Sequence, residues 1–377
     1  MDISTLCIHG SDDDNHRTGA VSVPIYQSAT FAHPSVGEST GYDYSRLQNP
    51  TREQLEKIVA RLENGADAIA FSTGMAAITA VMELFRPGDH IISSDDLYGG
   101  SHRLFQHISR KNGVNFDFID TSDLSEVRSK IKSETKALFV ETPTNPMMKV
   151  TDLAAISLLA KEKDLLLIVD NTFLTPYYLN PIDLGAHIVI HSGTKFLSGH
   201  NDTLAGFLVA NETELSEKLR FIYKTTGACL SPFDSWLVIR GIKTLAIRME
   251  KQQENAIEIA NWLSTHPKVK KVHYIGLPDH SGYQISLKQG RGFGSMISFE
   301  VDNEQTARQI LERVELILYA ESLGGVETLI TYPMLQTHAD IPEEERTRKG
   351  ISNRLLRLSV GIEASKDLIQ DLQNAFE

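Results

Sequence analysis

A lysine and two hydroxyl side chains lie within four residues of one another, directly after the apolar segment 187–191. They are Ser192, Thr194 and Lys195, with Gly193 between the two hydroxyls. Hydroxyl groups and a turn that glycine permits suit a phosphate, and a lysine in an enclosed site can lose its proton and act as an amine nucleophile. The pattern therefore fits Schiff-base chemistry. A solvated loop lysine is the alternative, because lysine side chains are usually exposed.

A carboxylate ends a second apolar segment, residues 165–170. Asp170 follows Leu-Leu-Leu-Ile-Val, and a buried acid must be paired or neutralised to be tolerated. A protonated pyridine nitrogen would be one suitable partner. The competing interpretation is an aspartate that caps the following turn, because aspartate favours caps and turns.

Two more segment ends carry groups that suit a flat, phosphorylated ligand. Residues 72–75, Ser-Thr-Gly-Met, lead into an apolar helical pattern, and free amides at a helix N-terminus form an anion site. A plain Ser or Thr N-cap explains the same residues. Tyr98 follows another apolar segment and could stack on a flat ring, although an isolated tyrosine also serves packing.

These groups need a scaffold, and residues 67–210 alternate short β-rich apolar segments with helical patterns. That alternation predicts a mostly parallel sheet covered by helices, an α/β arrangement. The predicted strands are 68–71, 90–93, 115–119, 136–141, 165–170, 187–191 and 206–209, and the predicted helices are 75–84, 101–111, 153–163 and 212–223.

The two ends of the chain have sequence patterns that differ from the pattern of residues 67–210. Residues 1–50 lack a clear period, which indicates an extended N-terminal arm. A large domain is expected over 51–245 and a smaller α+β domain over 246–377, with a long helical pattern at 233–266 crossing between them. The smaller domain is predicted to hold strands at 294–300 and 355–359 and helices at 304–314 and 365–375.

Ligands of a doubly wound sheet bind outside the carboxyl ends of its strands, which is where all of these groups fall. Together these groups match the requirements of pyridoxal 5'-phosphate (PLP). They supply a lysine, an acid for the ring nitrogen, a phosphate-binding site and an aromatic side chain to stack on the ring. The alternatives to a PLP enzyme are a nucleotide-binding enzyme and a metal-dependent hydrolase. The chain lacks the Gly-x-Gly-x-x-Gly and P-loop patterns, and its 13 histidines include no His-Glu-x-x-His pair.

The net charge and the cysteine content limit the partners and the cellular compartment that we expect for this protein. The formal net charge of -12 opposes binding to phosphate backbones and anionic lipid, so we expect no nucleic-acid or membrane partner. Cys7 and Cys229 are too few for a disulfide framework or a metal cluster. No basic leader or apolar stretch of membrane-spanning length is visible. We therefore expect a cytoplasmic enzyme without a metal.

Seven stretches resemble the cystathionine γ-synthase/γ-lyase family of Cys/Met-metabolism PLP enzymes, and the resemblance covers nearly the whole chain. The family has the aspartate aminotransferase-like fold, PLP fold type I. The stretches are GAVSVPIYQ (19–27), YSRLQNPTR (44–52), ETPTNP (141–146), VDNTF (169–173), HSGTK (191–195), AESLGGVE (320–327) and RLSVGIE (357–363).

The resemblance implies a role for each residue singled out above. Lys195 holds PLP, Asp170 pairs with the pyridinium nitrogen, and Tyr98 stacks on the ring and serves as an auxiliary acid or base. The phosphate is held by the Gly74 and Met75 amides and by the Ser192 and Thr194 hydroxyls.

The resemblance also implies features that the residue types do not indicate by themselves. Tyr44 and Arg46 on the N-terminal arm reach the phosphate of a neighbouring subunit, so the site is complete only in a dimer, and family members are typically homotetramers built as dimers of dimers. The substrate α-carboxylate is bound by Arg357 as a bidentate pair, with Asn145, Arg103 and the Ser322 backbone nearby.

Two positions bear on the substrate. Methionine γ-lyases of the family usually carry a cysteine two residues after the stacking tyrosine, whereas this chain has Gly100, which argues against methionine. Glu321 occupies the position that γ-acting members use to attract the distal ammonium of cystathionine or of incoming cysteine. A purely structural Glu321 is the alternative, because acids are mostly solvated unless paired.

The active-site motifs barely separate synthase from lyase. Residues 37–44 (GESTGYDY), 330–333 (ITYP) and 336–344 (QTHADIPEE) look more like bacterial γ-synthases that also show acylhomoserine sulfhydrylase activity. The expected reaction is γ-replacement of O-acylhomoserine by cysteine. Cystathionine γ-lyase and O-acylhomoserine sulfhydrylase are alternatives, as is a catalytically silent homologue that binds PLP or a partner protein.

Overall fold

The computed structural model describes residues 1–10, 18–336 and 343–377. Within these ranges the strands are β1 (Asp67–Phe71), β2 (His90–Ser94), β3 (Asn115–Ile119), β4 (Thr135–Glu141), β5 (Leu166–Asp170), β6 (Ile188–Ser192), β7 (Gly206–Ala210), β8 (Val269–His273), β9 (Met296–Val301), β10 (Leu318–Tyr319), β11 (Leu329–Thr331) and β12 (Leu355–Ser359).

The α-helices over the same ranges are α1 (Ile3–His9), α2 (Pro50–Leu62), α3 (Gly74–Met82), α4 (Gly99–Arg103), α5 (Leu124–Lys130), α6 (Leu153–Glu162), α7 (Thr175–Tyr178), α8 (Thr213–Thr226), α9 (Pro232–Ile242), α10 (Leu245–Thr265), α11 (Tyr283–Gln289), α12 (Glu304–Arg313), α13 (Glu343–Arg348) and α14 (Ser365–Phe376). No helix in the described ranges is both long and apolar enough to cross a membrane.

The first seven strands form one sheet in the order β1-β7-β6-β5-β4-β2-β3. β7 is antiparallel to β1 and β6, and the other neighbours are parallel. Parallel neighbours require crossover connections, which helices supply. The mostly parallel seven-stranded sheet predicted from the alternating pattern is confirmed.

Both faces of this sheet are buried, which is why its strands read as continuous apolar segments. In β6, Ile188 and Ile190 contribute to the core on one face, whereas Val189 contributes to the core on the other. Successive side chains of a strand point to opposite faces, so one strand serves two cores. The sheet is thereby held rigidly, with its carboxyl edge open to a ligand.

The last five strands form a second sheet, ordered β10-β11-β12-β9-β8, with a separate core that α10, α12 and α14 help to build. The predicted strand and helix pairs of this region are present, with no end shifted by more than two residues. β8, β10 and β11 were not predicted. β10 and β11 are only two and three residues long, and β8 has two exposed lysines, Lys270 and Lys271, at its centre instead of an apolar run. The domain boundaries at 50 and 245 stay predictions.

The helical pattern at 233–266 is interrupted, which corrects the single long helix expected there. α9 ends at Ile242 and α10 begins at Leu245. The carbonyl of Gly241 accepts the Thr244 hydroxyl at 3.0 Å and the Arg248 guanidinium at 2.8 Å. The Thr244 N–H also donates to this carbonyl at 3.1 Å, a bond of three residues in place of the four of an α-helix, so the helix is interrupted at this point.

The N-terminal segment is only partly the extended arm that was predicted. Residues 3–9 form α1, where the Asp2 side chain caps the helix by accepting the Ser4 N–H at 2.8 Å. α1 packs against α2 and α10 and buries Cys7. The helix predicted at 101–111 is also divided, because α4 passes into a π-helix at Leu104–Ser109.

Candidate active site

A cavity of about 420 Å³ lies at the carboxyl edge of the large sheet, where residues from the second sheet close it. The structure brings most of the predicted site residues together around this cavity. These are Gly74, Met75, Tyr98, Asn145, Asp170, Ser192, Thr194, Lys195, Glu321, Ser322 and Arg357.

Lys195 follows β6 and presents its amine in this cavity. Its Nζ donates to Ser322 Oγ at 2.9 Å. Burial and the nearby Arg357 guanidinium lower the pKa of Lys195 to about 8, with the Glu321 carboxylate acting in the opposite direction. A substantial fraction of the amine is therefore neutral near physiological pH, as a nucleophile requires.

Asp170 ends β5 with one of its oxygens already engaged. Oδ1 accepts the Thr172 hydroxyl at 2.5 Å and the Thr172 N–H at 3.0 Å. The Thr172 hydroxyl oxygen itself accepts the Ser192 N–H at 2.9 Å. Burial raises the pKa of Asp170, and the two Thr172 hydrogen bonds oppose that rise. The carboxyl is thus fixed in place at the cavity, as a partner for a pyridinium nitrogen would have to be.

The start of α3 and the end of β6 meet at one end of the cavity. Thr73 caps the helix by accepting the Ala76 N–H at 3.0 Å, and the earlier amides of Gly74 and Met75 have no intrahelical carbonyl to bond. A Cβ at Gly74 would lie 3.1 Å from the Ser192 Cβ. The missing side chain lets amides and hydroxyl converge on one anion.

Tyr98 precedes α4 and leaves 43% of its surface exposed in the cavity. Its backbone N–H donates to Glu141 Oε2 at 3.0 Å. A Cβ at Gly100 would lie 2.4 Å from the Tyr98 ring and 3.0 Å from the Met75 sulfur. A side chain at position 100 would therefore require this ring to move.

Arg357 extends from β12 into the cavity and is 1% exposed. Its guanidinium donates to Asn145 Oδ1 at 2.8 Å, to the Ser322 carbonyl at 3.1 Å and to the Thr331 hydroxyl at 3.2 Å. Burial lowers the pKa of Arg357 to about 10, so the group stays charged at neutral pH. Its buried Nε has no hydrogen-bond partner within the described chain, which leaves a donor for an anion.

Three predicted residues lie outside the cavity lining. Arg103 ends α4 with an exposed side chain. Tyr44 is 44% exposed, and the Arg46 guanidinium lies 5.6 Å from the centre of its ring and donates to the Lys224 carbonyl. Tyr44 and Arg46 are both exposed on this chain, and their role at a site shared between subunits stays a prediction.

Among the polar residues of the cavity lining, Glu141 and Thr172 were not predicted as site residues. Glu141 ends the strand predicted at 136–141, so the same strand-end rule that selected Asp170 would have selected it. The signal for Thr172 is its place two residues after Asp170. A third missed group lies behind the site, where the buried His191 ring meets Glu63 Oε1 at 2.6 Å.

The residues present fit PLP. The start of α3 at Gly74 lies close to the Ser192 side chain, so amides and a hydroxyl could receive a phosphate there. A buried carboxyl, Asp170, ends β5, and the partly buried amine of Lys195 follows β6. The Arg357 Nε that lacks a partner in the described residues suits the carboxylate of an amino acid.

Comparisons with known proteins agree with this fit. The family model described as Cys/Met metabolism PLP-dependent enzyme matches residues 4–377. The chain is 49% identical to the cystathionine γ-lyase of Bacillus subtilis (strain 168) over 377 residues, with complete coverage of both chains. It is 48% identical to the cystathionine γ-synthase of Haemophilus influenzae over 375 residues, covering 99% of this chain and 97% of the relative.

A solved structure shares the fold. The crystal structure of cystathionine γ-lyase from Lactobacillus plantarum complexed with L-serine superposes with a TM-score of 0.97 at 45% identity, covering 100% of this chain and 98% of that one. The predicted fold type I and the predicted family are both confirmed. The chain belongs to the Cys/Met metabolism PLP-dependent enzymes and is a PLP-dependent enzyme of trans-sulfuration.

Proposed function

We propose that this enzyme catalyses γ-replacement, joining cysteine to O-acylhomoserine to form cystathionine, as a cystathionine γ-synthase does. The observation that carries the choice of a γ-reaction is the place of Glu321, which lines the cavity beside Ser322. Its carboxylate acts electrostatically on both Lys195 and Arg357. Glu321 is exposed at the cavity, where its carboxylate attracts the ammonium of incoming cysteine and places the cysteine sulfur near the Cγ of the bound substrate.

Arg357 binds the substrate α-carboxylate in this proposal. Asn145 and the Ser322 carbonyl already hold the guanidinium in one orientation, so little entropy is lost when the substrate docks. The fixed carboxylate directs the Cα–H bond toward the Lys195 side of the cavity. Arg103, with its exposed side chain, assists from the entrance.

Lys195 is the proposed proton carrier. When bound, PLP supplies an electron sink that stabilises negative charge at the substrate Cα. The neutral Nζ removes the proton from Cα and then moves protons at Cβ as the Cγ–O bond breaks and the acyloxy group leaves as a carboxylate. Ser322 Oγ, 2.9 Å from Nζ, holds the amine in line, and Tyr98 acts as auxiliary acid or base.

PLP is proposed to lie with its phosphate between α3 and β6 and its ring nitrogen at Asp170. The Gly74 and Met75 amides and the Ser192 and Thr194 hydroxyls receive the phosphate. Tyr44 and Arg46 complete that cradle from a neighbouring subunit, so the active unit is a dimer and the assembly a homotetramer. The exposure of Tyr44 supports this role.

Cystathionine γ-lyase is the second candidate. The Bacillus subtilis relative with that name matches this chain along its full length, and a carboxylate at Glu321 would attract the distal ammonium of cystathionine equally well. Residues 37–44 and 330–333 favour the synthase or the related O-acylhomoserine sulfhydrylase. The third supporting stretch, 336–344, lies largely outside the described residues, since 337–342 are not described.

Product analysis separates the candidates. Purified holoenzyme is given cysteine with O-acetylhomoserine or O-succinylhomoserine in one reaction, and cystathionine alone in another. Efficient cystathionine formation in the first supports the synthase. Predominant release of cysteine, 2-oxobutyrate and ammonia in the second would overturn it in favour of the lyase, and predominant homocysteine and pyruvate would exclude both γ-reactions. A catalytically silent homologue would give no product in either.

A further inference from the structure

Glu141 and Asp170 form a pair of buried carboxyl groups at the edge of the large sheet. They end the neighbouring parallel strands β4 and β5 in register with each other, and both line the cavity. Glu141 is 6% exposed and Asp170 is 9% exposed. Neighbouring strands are about 4.8 Å apart, so the two groups share one small volume. Two negative charges so close in a site of low dielectric oppose joint ionisation.

Hydrogen bonding distinguishes the two carboxyls. Asp170 Oδ1 receives both the hydroxyl and the N–H of Thr172, whereas Glu141 receives the single backbone N–H of Tyr98. Donors directed at a carboxylate favour its charged form. Asp170 is therefore the better site for the shared negative charge, and Glu141 for the shared proton.

The charged neighbours of Glu141 mostly support this assignment. Burial and the adjacent Asp170 raise the pKa of Glu141 well above its ordinary value, and Asp96 adds to the rise. Arg357 from the second sheet acts in the opposite direction. Its guanidinium is already bonded to Asn145 and two other acceptors.

We propose that Glu141 is a neutral carboxylic acid in the resting enzyme and a positioning residue for the cofactor. It fixes the backbone of Tyr98, and by staying uncharged it leaves Asp170 as the one anion of the pair. The inference rests on the proposed pairing of Asp170 with the pyridinium nitrogen. A neutral Glu141 keeps its oxygen acceptor for the Tyr98 N–H while its proton prevents repulsion from Asp170.

Two substitutions of Glu141 separate the effect of its charge from the effect of its hydrogen bond to Tyr98. Glu141→Gln is isosteric, uncharged and still accepts the Tyr98 N–H through its amide oxygen. Glu141→Leu removes the acceptor and leaves that N–H unpaired. If Glu141 is neutral, the amount of PLP that the Gln variant retains on dilution should lie within about threefold of the wild-type amount. The Leu variant should lose PLP about tenfold more readily, because an unpaired buried donor is costly.

The protonation state of Glu141 can be measured directly by infrared spectroscopy. The infrared difference spectrum of wild-type holoenzyme minus the Glu141→Gln holoenzyme should contain the carbonyl band of one protonated carboxyl group. A spectrum without that band, or a tenfold or greater loss of PLP retention in the Gln variant, would show an ionised Glu141 and overturn the inference. If the Leu variant retained PLP as well as the Gln variant, the positioning of Tyr98 would be overturned.

Asp170→Asn serves as the control for the underlying proposal. Ordinary PLP retention in that variant would refute the pairing of Asp170 with the pyridinium nitrogen, whatever the Glu141 variants do. If Glu141→Leu fails to fold, the spectrum and the retention measured with Glu141→Gln decide the inference by themselves.

Discussion

The Arg357 guanidinium donates to Asn145 Oδ1 at 2.8 Å, although the two residues are 212 positions apart in the sequence. Arg357 belongs to the second sheet, whereas Asn145 follows β4 of the large sheet. This contact joins the second sheet to the segment that follows β4, at the lining of the cavity. It also preorients the cation that we propose for the substrate carboxylate.

Replacing Arg357 with lysine should weaken substrate binding rather than PLP binding. Lysine keeps the charge but cannot reproduce the planar donor geometry that bonds Asn145 and a carboxylate together. We expect KM for the amino-acid substrate to rise roughly 10- to 100-fold, the equivalent of one or two charge-assisted hydrogen bonds. Steady-state kinetics test this, with visible absorption of bound PLP as the control. An unchanged KM would remove Arg357 from carboxylate binding.

The reaction of the apoenzyme with PLP should depend on pH through Lys195. Its pKa is lowered to about 8, so the amine is protonated and unreactive below that pH and neutral above it. The rate of imine formation should rise about tenfold per pH unit up to about pH 8 and then level off. Stopped-flow absorbance measures this rate. A rise that continues to about pH 10 would indicate an unshifted lysine.

Lys195→Ala is the matched control for that profile. The variant should show neither the absorption band of protein-bound imine nor turnover, because no other side chain is proposed to supply the amine. Retention of both properties would refute the assignment of Lys195.

Thr172→Val should reduce PLP affinity through Asp170. Valine has nearly the shape of threonine but removes the hydroxyl that donates to Asp170 Oδ1 and accepts the Ser192 N–H. Loss of a hydrogen bond to a charged acceptor should weaken PLP binding roughly tenfold or more. Equilibrium titration of apoenzyme with PLP measures the change, and Thr172→Ser, which keeps the hydroxyl, should restore most of the affinity. Equal losses in both variants would contradict a hydroxyl effect.

Glu321→Gln should distinguish substrates by their distal ammonium group. The substitution removes the charge and little volume. Use of cysteine and cystathionine should fall about tenfold, the equivalent of one hydrogen bond to a charged group formed when substrate covers the exposed Glu321 side chain. Release of the acyl group from O-acylhomoserine without cysteine should change much less. An equal loss with every substrate would make Glu321 structural.

Mixed oligomers should reveal whether the site is shared between subunits. Lys195→Ala and Arg46→Ala are each expected to be nearly inactive alone. In a mixed dimer, one site combines the intact Lys195 of one subunit with the intact Arg46 of the other, so activity should reappear after the two proteins are unfolded and refolded together. Activity that stays absent, with dimers present on size exclusion, would contradict an arm that acts across subunits.

The sequence by itself determined the sheet and many of the chemical groups at its edge. Apolar segments buried on both faces predict parallel strands, and residues after such strands must lie at one edge. Lys195, Asp170 and Tyr98 were found in this way, because a strand end is a local signal. Their chemical roles, and those of Tyr44, Arg46 and Arg103, stay predictions.

Only the tertiary structure decided which groups face one another. The register of β4 and β5 sets Glu141 beside Asp170, and packing of the second sheet against the first brings Arg357 to Asn145. The break after α9 likewise depends on Arg248, a donor from the next helix. The local periodicity of a sequence indicates which side of an element is buried, but not which distant element covers it. The pKa values of groups in the cavity depend on those distant neighbours.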